Sequence, residues 1–174
     1  RCATEEEVYA LLGLPWIPPE LRENRGELAL ANGDLPVLIE QSDLKGDLHM
    51  HTTLSDGRAD AEAMARRALE LGLEYIAITD HSATHGFGNH VTPEALEARI
   101  DEIAALNSRL EDFVVLAGTE SNILPDGSLD YPDELLARLD WVIGSVHTSF
   151  GMDEDAMTER VITGIQSIGR ERFS

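Results

Sequence analysis

The sequence has few of the residues that disulfide-bonded and membrane-spanning proteins need. Its 174 residues contain one cysteine, Cys2, so no disulfide can form within the chain and nothing suggests an oxidising compartment. No run of about 18 apolar residues occurs, which argues against a membrane-spanning helix. The first twelve residues include three consecutive glutamates and do not resemble a secretory signal. These absences make a cytoplasmic location and no membrane partner the expectation.

Positive charge is also scarce. Thirteen lysine and arginine residues stand against thirty-three aspartates and glutamates, a formal net charge of −20, and Lys45 is the only lysine. So acidic a surface excludes a domain that holds nucleic acid mainly through a broad basic face, and it argues against binding to an anionic membrane. A phosphate-bearing substrate must therefore be attracted locally, by metal ions or by a few arginines.

Residues 1–43 differ in composition from the rest of the chain. Thr4 and Glu7 have capping-box spacing, which predicts a short helix that ends at Gly13. Four prolines and two glycines then follow within 22 residues, a density that predicts loops and turns. We expect residues 1–43 to be a connector or the tail of a preceding domain, and residues 44–174 to form the next domain. The missing initial methionine suggests a piece of a longer polypeptide.

From Leu44 onward, apolar runs alternate with amphipathic stretches. The predicted strands are 44–49, 75–79, 113–117 and 141–146, and the predicted helices are 60–71, 93–110, 132–139 and 154–165. The runs 76–78 and 114–116 are continuously apolar, as expected of parallel strands that are covered on both faces. This alternation predicts an α/β fold with a parallel sheet or barrel.

Histidines and acids follow the ends of all four predicted strands. They are His49, His51, Asp56, His81, Glu120 and His147. In parallel α/β barrels, active sites assemble at the carboxyl ends of the strands. His49 and His51 are two residues apart in an extended segment, so their side chains point the same way and can hold one ion. Taken singly, His81 could be a buried structural histidine and Glu120 a helix cap; together the six indicate a metal centre suited to Zn²⁺, Mn²⁺ or Fe²⁺.

Three segments that carry these residues resemble the polymerase and histidinol phosphatase (PHP) superfamily. They are 46–57, which reads GDLHMHTTLSDG, 76–82, which reads IAITDHS, and 144–147, which reads GSVH. Segments 14–23 and 124–131 further resemble the PHP region of bacterial and archaeal family-X DNA polymerases. The resemblance implies a distorted (βα)7 barrel of the TIM type, of which this chain holds about the first four βα units. Residues 1–43 would then end a preceding polymerase portion.

The resemblance also implies a site and an activity. His49 and His51 would hold one divalent metal ion, Glu120 would bridge it to a second ion on His147, and Asp56 and His81 would hold a third. His49, His51, Glu120 and His147 would act catalytically through these ions. The implied reaction is hydrolysis of a phosphodiester or phosphomonoester by a metal-activated water, with two or three Mn²⁺, Zn²⁺ or Fe²⁺ ions and no protein nucleophile. The expected substrate is a DNA 3′ end, and the expected partner is the polymerase portion of the same polypeptide.

Further residues have two interpretations each. His85 and His90 lie in the loop after the second strand, where either could contact a substrate phosphate or be a solvated loop residue. Asp47 and Asp80 precede the candidate ligands and could orient their imidazole rings or cap the backbone. No histidine follows His147 and only four strands are predicted. An open sheet of this kind exposes its edges and favours self-association.

Three other functions stay open. One is a small-molecule phosphatase that acts on a substrate such as histidinol phosphate. Another is a PHP domain that has lost catalysis and serves as a scaffold for a polymerase. The third is a barrel hydrolase of the amidohydrolase type, which normally requires a later lysine, whereas Lys45 precedes every candidate ligand.

Overall fold

Short helices and turns make up the first of two units in the chain. The computed structural model describes residues 1–30, 33, 35–86 and 88–170, and the units are Arg1–Gln41 and Ser42–Ser174. Helix α1, Glu5–Leu11, is capped by Thr4, whose hydroxyl accepts a hydrogen bond from the Glu7 amide. A 3-10 turn, Pro19–Leu21, and helix α2, Glu27–Leu30, follow. Ile17 is the only buried side chain among the described residues of this unit.

Arg22 ties the first unit together. Its guanidinium donates two hydrogen bonds of 2.7 Å to the carboxylate of Glu5 and two more to the carbonyl oxygen of Ile17. The bond from Arg22 is the main cause that lowers the pKa of Glu5 to about 2. Polar contacts, rather than an apolar core, therefore hold the segments of this unit together.

Four parallel strands form the sheet of the second unit. They are β1, Gly46–Met50; β2, Tyr75–Ile78; β3, Val114–Asn122; and β4, Trp141–Ser145, in the spatial order β1-β2-β3-β4. The first half of β3 pairs with β2, from Val114 opposite Tyr75, and the second half pairs with β4, from Gly118 opposite Trp141. Such stagger is typical of the tilted strands of a barrel. The strands curl into half of a barrel, which confirms the predicted fold.

Helices cover the outer face of this half-barrel. They are α3, Ala61–Glu70; α4, Pro93–Asn107; α5, Asp133–Leu136; and α6, Glu154–Arg170. The side chains of Asp60 and Thr92 accept the capping hydrogen bonds at the starts of α3 and α4. Between these helices and the strands lies one apolar core, which includes Ala65, Ile76, Ile78, Leu96, Ile103, Val115 and Leu136. The core fixes the strands from outside and leaves their carboxyl ends for polar residues.

Strand β3 ends five residues later than the apolar run predicted. The prediction ended it at Ala117, but pairing continues through a polar segment from Gly118 to Asn122. These residues are buried in spite of their polarity, because β4 hydrogen-bonds to them and the site lies at their end. A Cβ atom at Gly118 would lie 2.6 Å from the carbonyl oxygen of Trp141, so the close approach of β4 requires glycine there.

None of the described helices is long and apolar enough to cross a lipid bilayer. Within the described chain, β1 and β4 are the outer strands of the sheet. Self-association through these edges stays a prediction.

Candidate metal centre

The carboxylate of Glu120 lies at the centre of a group of four imidazoles. It projects from the carboxyl half of β3 and is 6% exposed. His49 Nε2, His51 Nε2 and His81 Nδ1 lie 3.2, 3.1 and 3.0 Å from Oε2. His147 Nε2 lies 3.2 Å from the other oxygen, Oε1. The ends of all four strands therefore meet at one carboxylate.

Asp56 adds a second carboxylate at one side of the group. Its Oδ1 lies 2.8 Å from His51 Nδ1, and its Oδ2 lies 3.7 Å from His81 Nε2. The six predicted residues form three overlapping groups in which the potential ligand atoms lie within 4.8 Å of one another: His49, His51 and Glu120; His51, Asp56 and His81; His81, Glu120 and His147. All six candidates are thus in one place, and His51, His81 and Glu120 each belong to two groups.

The donor set fits divalent metal ions. A carboxylate oxygen has only two lone pairs, so three imidazole nitrogens around Oε2 of Glu120 cannot all donate hydrogen bonds to it. A cation accepts lone pairs from imidazole nitrogens and from carboxylate oxygens together. Four imidazoles with two carboxylates suit Zn²⁺, Mn²⁺ or Fe²⁺ better than Mg²⁺, which prefers oxygen ligands.

Burial and close charges shift the protonation of these groups. Burial alone would raise the pKa of Glu120, but hydrogen bonds from His51 and His49 outweigh it and hold this pKa far below its usual range. Burial lowers the pKa of His81 to about 4, whereas the hydrogen bond to Glu120 raises the pKa of His51. At neutral pH the carboxylate is therefore ionised and His81 is neutral, which are the forms that bind metal ions.

Asp80 holds the loop after β1, where two of the candidate ligands lie. Its buried carboxylate accepts hydrogen bonds of 2.7 Å from the Thr52 amide, the Thr52 hydroxyl and the Ser55 hydroxyl. The guanidinium of Arg99 donates to the same Thr52 hydroxyl and lies 3.7 Å from Asp80. The prediction that Asp80 orients an imidazole stays untested, but these bonds position the backbone that carries His51 and Asp56.

Asp47 makes fewer contacts near the site than Asp80 does. Its exposed carboxylate accepts a hydrogen bond of 3.0 Å from the backbone amide of His49. This contact corresponds to the backbone-capping alternative of the sequence analysis. An orienting role for Asp47 toward an imidazole ring stays a prediction.

A different set of contacts holds the ends of β3 and β4. The side-chain oxygen of Asn122 accepts from the His147 amide at 3.2 Å, and its amide group donates to the Thr84 hydroxyl at 3.0 Å. Asp130 accepts from Thr84 and from the hydroxyl of Ser121. The loop after β2 is thereby attached to the strand that carries Glu120 and to the segment that carries His147.

Arg160 of α6 lies behind this side of the site. It is 2% exposed, and its guanidinium donates to the carbonyl oxygens of Ile123, Leu124 and Thr148. Thr148 directly follows His147, so this bond fixes the backbone beside a candidate ligand. Arg160 was not among the residues predicted from the sequence, although it shares one helical stripe with Met157, Val161 and Gly164, which is a signal of burial.

The two loop histidines have different surroundings. His85 is 1% exposed, its Nδ1 contacts the carbonyl oxygen of Ser82, and its ring stacks on that of His81 with 4.6 Å between centroids. It is therefore not the solvated loop residue that was one of its two interpretations. His90 is exposed, and its Nδ1 lies 2.7 Å from the carbonyl oxygen of Ala83. Contact of either histidine with a phosphate stays a prediction.

Comparisons with known proteins agree with these motifs. Residues 47–167 match the PHP domain, and residues 1–23 match the DNA polymerase beta thumb. The chain is 45% identical over 162 residues to the DNA polymerase/3'-5' exonuclease PolX of Bacillus subtilis, covering 93% of this chain and 28% of that protein.

Proteins named as probable phosphatases are further relatives. A protein named "Probable phosphatase" from Caldanaerobacter subterraneus is 32% identical over 127 residues, covering 70% of this chain and 47% of that protein. Another of this name, from Acetivibrio thermocellus, is 36% identical over 112 residues, which cover 58% of this chain and 40% of that protein. The chain spans from about a quarter to about half the length of these relatives. It belongs to the PHP domain family and resembles the PHP region of family-X DNA polymerases.

Proposed function

We propose that this chain is the phosphoesterase region of a family-X DNA polymerase and hydrolyses phosphate esters at DNA 3′ ends. The observation that carries the proposal is the buried carboxylate of Glu120 with four imidazole nitrogens at 3.0–3.2 Å. A relative that covers 93% of this chain has 3'-5' exonuclease in its name. Residues 1–43 would connect a preceding polymerase portion to a PHP domain of residues 44–174.

Each candidate ligand has a place in this proposal. His49, His51 and Glu120 would hold one ion, Glu120 and His147 a second, and Asp56 and His81 a third. When bound, Mn²⁺, Zn²⁺ or Fe²⁺ ions would lower the pKa of water and neutralise charge on the phosphate oxygens and on the leaving group.

The other residues would maintain this arrangement. Burial holds the pKa of His81 at about 4, so its imidazole is neutral and able to bind a metal ion above that pH. Asp80 and Asn122 would hold the backbone of the ligand segments through the contacts they make to Thr52 and His147. His90, which is exposed at the loop after β2, would be available to a substrate phosphate.

A small-molecule phosphatase is the second candidate. Its supporting observations are the 32–36% identity to proteins named "Probable phosphatase" and the scarcity of basic residues for a long nucleic acid. An inactive scaffold is less well supported, because all six candidate ligands are present and lie together.

The direct test is Mn²⁺-dependent release of nucleotides from the 3′ end of a labelled oligonucleotide by the full-length protein. We expect His49→Ala to slow release by about a hundredfold or more, because one group of ligand atoms is lost. Arg67→Gln is the control, since Arg67 is exposed on α3 and pairs with Glu70. Equal rates for His49→Ala and the wild type would contradict the site. Hydrolysis of histidinol phosphate without nucleotide release would favour the second candidate.

A further inference from the structure

Carboxylates neutralise almost every exposed cation of the second unit. Between residues 42 and 168, leaving out Phe87, the exposed pairs are Lys45 with Glu74, Arg66 and Arg109 with Glu62, Arg67 with Glu70, and Arg138 with Glu97. The buried Arg99 lies near Asp80 and Glu102. Arg160 is buried against carbonyl oxygens. In that same described range, Arg58 is the one exposed cation with no carboxylate within 4.0 Å.

The backbone places Arg58 beside the metal centre. It lies two residues after Asp56, in a loop closed by hydrogen bonds from the Gly57 amide to the Thr52 carbonyl at 2.8 Å and from the Thr53 amide to the Ala59 carbonyl at 3.0 Å. Gly57 is pressed against the backbone of His51, because a Cβ atom at this glycine would overlap the His51 carbonyl oxygen. Arg58 is therefore attached to a fixed loop that also carries two candidate ligands.

An unpaired arginine is unusual on so acidic a chain. Thirty-three acids stand against thirteen basic residues, and every other exposed lysine or arginine between residues 42 and 168 has a carboxylate partner. A guanidinium without one keeps its charge and its donor groups available to an outside anion. The planar guanidinium can donate two parallel hydrogen bonds to two oxygens of a phosphate.

A nucleic acid presents such an anion next to the bond that is cut. When the last phosphodiester lies at the metal centre, the phosphate of the preceding linkage is close to it, and the acidic chain repels that phosphate. A local cation at the rim of the site offsets this repulsion, whereas a substrate with a single phosphate has no need of it.

We propose that Arg58 binds the phosphate that precedes the scissile one when a nucleic-acid 3′ end occupies the site. This inference rests on the proposed function. It makes Arg58 a residue that selects chains of nucleotides over esters with one phosphate.

The test compares three substrates of the full-length protein. Thymidine dinucleotide has one phosphate, thymidine trinucleotide has two, and a third substrate is the trinucleotide with an uncharged methylphosphonate at its first linkage. We expect Arg58→Gln to raise the KM for the trinucleotide about tenfold, as the loss of one charge-assisted contact would. The methylphosphonate should raise the wild-type KM by a similar factor and have little further effect in Arg58→Gln, since the two changes remove the same contact.

Calorimetric titration provides a readout that does not depend on catalysis. With Ca²⁺ in place of the active metal, the trinucleotide should bind Arg58→Gln about tenfold more weakly than the wild type. The affinity of Arg58→Gln for the trinucleotide should also fall less steeply with rising salt concentration than that of the wild type, because one charge pair fewer is screened. The matched control is Arg66→Gln, because Arg66 is an exposed arginine on α3 that already pairs with Glu62.

The results separate two kinds of failure. If the wild type distinguishes charged from uncharged trinucleotide but Arg58→Gln behaves like Arg66→Gln, another residue binds the phosphate and this inference is wrong. The inference is also wrong if Arg58→Gln weakens the dinucleotide as much as the trinucleotide. If the wild type releases no nucleotide from either substrate with Mn²⁺, the proposed function itself fails, and this inference fails with it.

Discussion

Opposite charges hold the two sides of the metal centre in place. Behind β1 and β2, the buried carboxylate of Asp80 accepts hydrogen bonds from an amide and two hydroxyls of the loop that carries His51 and Asp56. Behind β3 and β4, the buried guanidinium of Arg160 donates to the carbonyl oxygens of three residues near His147. On the first side, hydrogen-bond donors surround the anion Asp80. On the second side, hydrogen-bond acceptors surround the cation Arg160.

The difference determines which side is easier to disturb. The hydroxyls around Asp80 can rotate toward other acceptors, and the loop has its own backbone hydrogen bonds, such as that from Gly57 to Thr52. The carbonyl oxygens around Arg160 cannot become donors, so each one depends on the guanidinium or on another donor. Buried acceptors that lose their partner cost about 1–3 kcal/mol each. We therefore expect the side held by Arg160 to be the more sensitive one.

The largest expected effect is that of Arg160→Met. This change keeps most of the length of the side chain but removes the guanidinium donors to the Ile123, Leu124 and Thr148 carbonyls, of which that of Leu124 keeps a backbone donor, the Gly127 amide. We expect the free energy of unfolding to fall by about 3 kcal/mol or more, measured by urea denaturation of the metal-free protein. Arg160→Lys should recover part of the loss, because its ammonium group retains three donors. A loss below about 1 kcal/mol for Arg160→Met would show that these bonds contribute little.

A smaller effect is expected for Asp80→Asn. The amide has the shape of the carboxylate, and its one oxygen can keep the hydrogen bonds from the Thr52 amide and the Ser55 hydroxyl. The bond from the Thr52 hydroxyl is lost, because that hydroxyl already accepts from the Leu54 amide and from Arg99 and cannot accept a third hydrogen bond. We expect a loss of about 1–2 kcal/mol in the same denaturation experiment. A cost as large as that of Arg160→Met would contradict the asymmetry, and it would show that the negative charge near Arg99 matters more than the hydrogen-bond count.

Much of the fold and the place of the site could be predicted from the sequence. The apolar runs around Ile76 and Val115 identified the parallel strands, and the spacing of His49 and His51 identified a pair of side chains on one side of β1. These patterns are local, so the chain shows them without knowledge of its neighbours. Their position at strand ends then implied that distant residues such as His147 lie near them.

What the sequence left open depends on contacts between distant segments. The extension of β3 past Ala117 could not be predicted from polarity, because its buried polar residues are paired by β4 and by side chains such as Asp130. The burial of His85 accompanies the stacking of its ring on that of His81, a contact within the loop after β2 that the residue types alone do not indicate. The role of Arg160 likewise appears only when α6 packs behind β4. In each case a polar side chain is buried because of the partner it contacts, and the sequence does not show that partner.

The central claim is that Glu120 joins two of the three groups of potential ligands, so metal binding tests it most directly. The full-length protein, stripped of metal with a chelator, would be titrated with Mn²⁺ by calorimetry, together with the isosteric variant Glu120→Gln. We predict two or three bound ions for the wild type. The variant should lose or greatly weaken the sites that include Glu120, while the group of His51, Asp56 and His81 remains. Equal stoichiometry and affinity for the two proteins, or no Mn²⁺ binding by the wild type, would contradict the account.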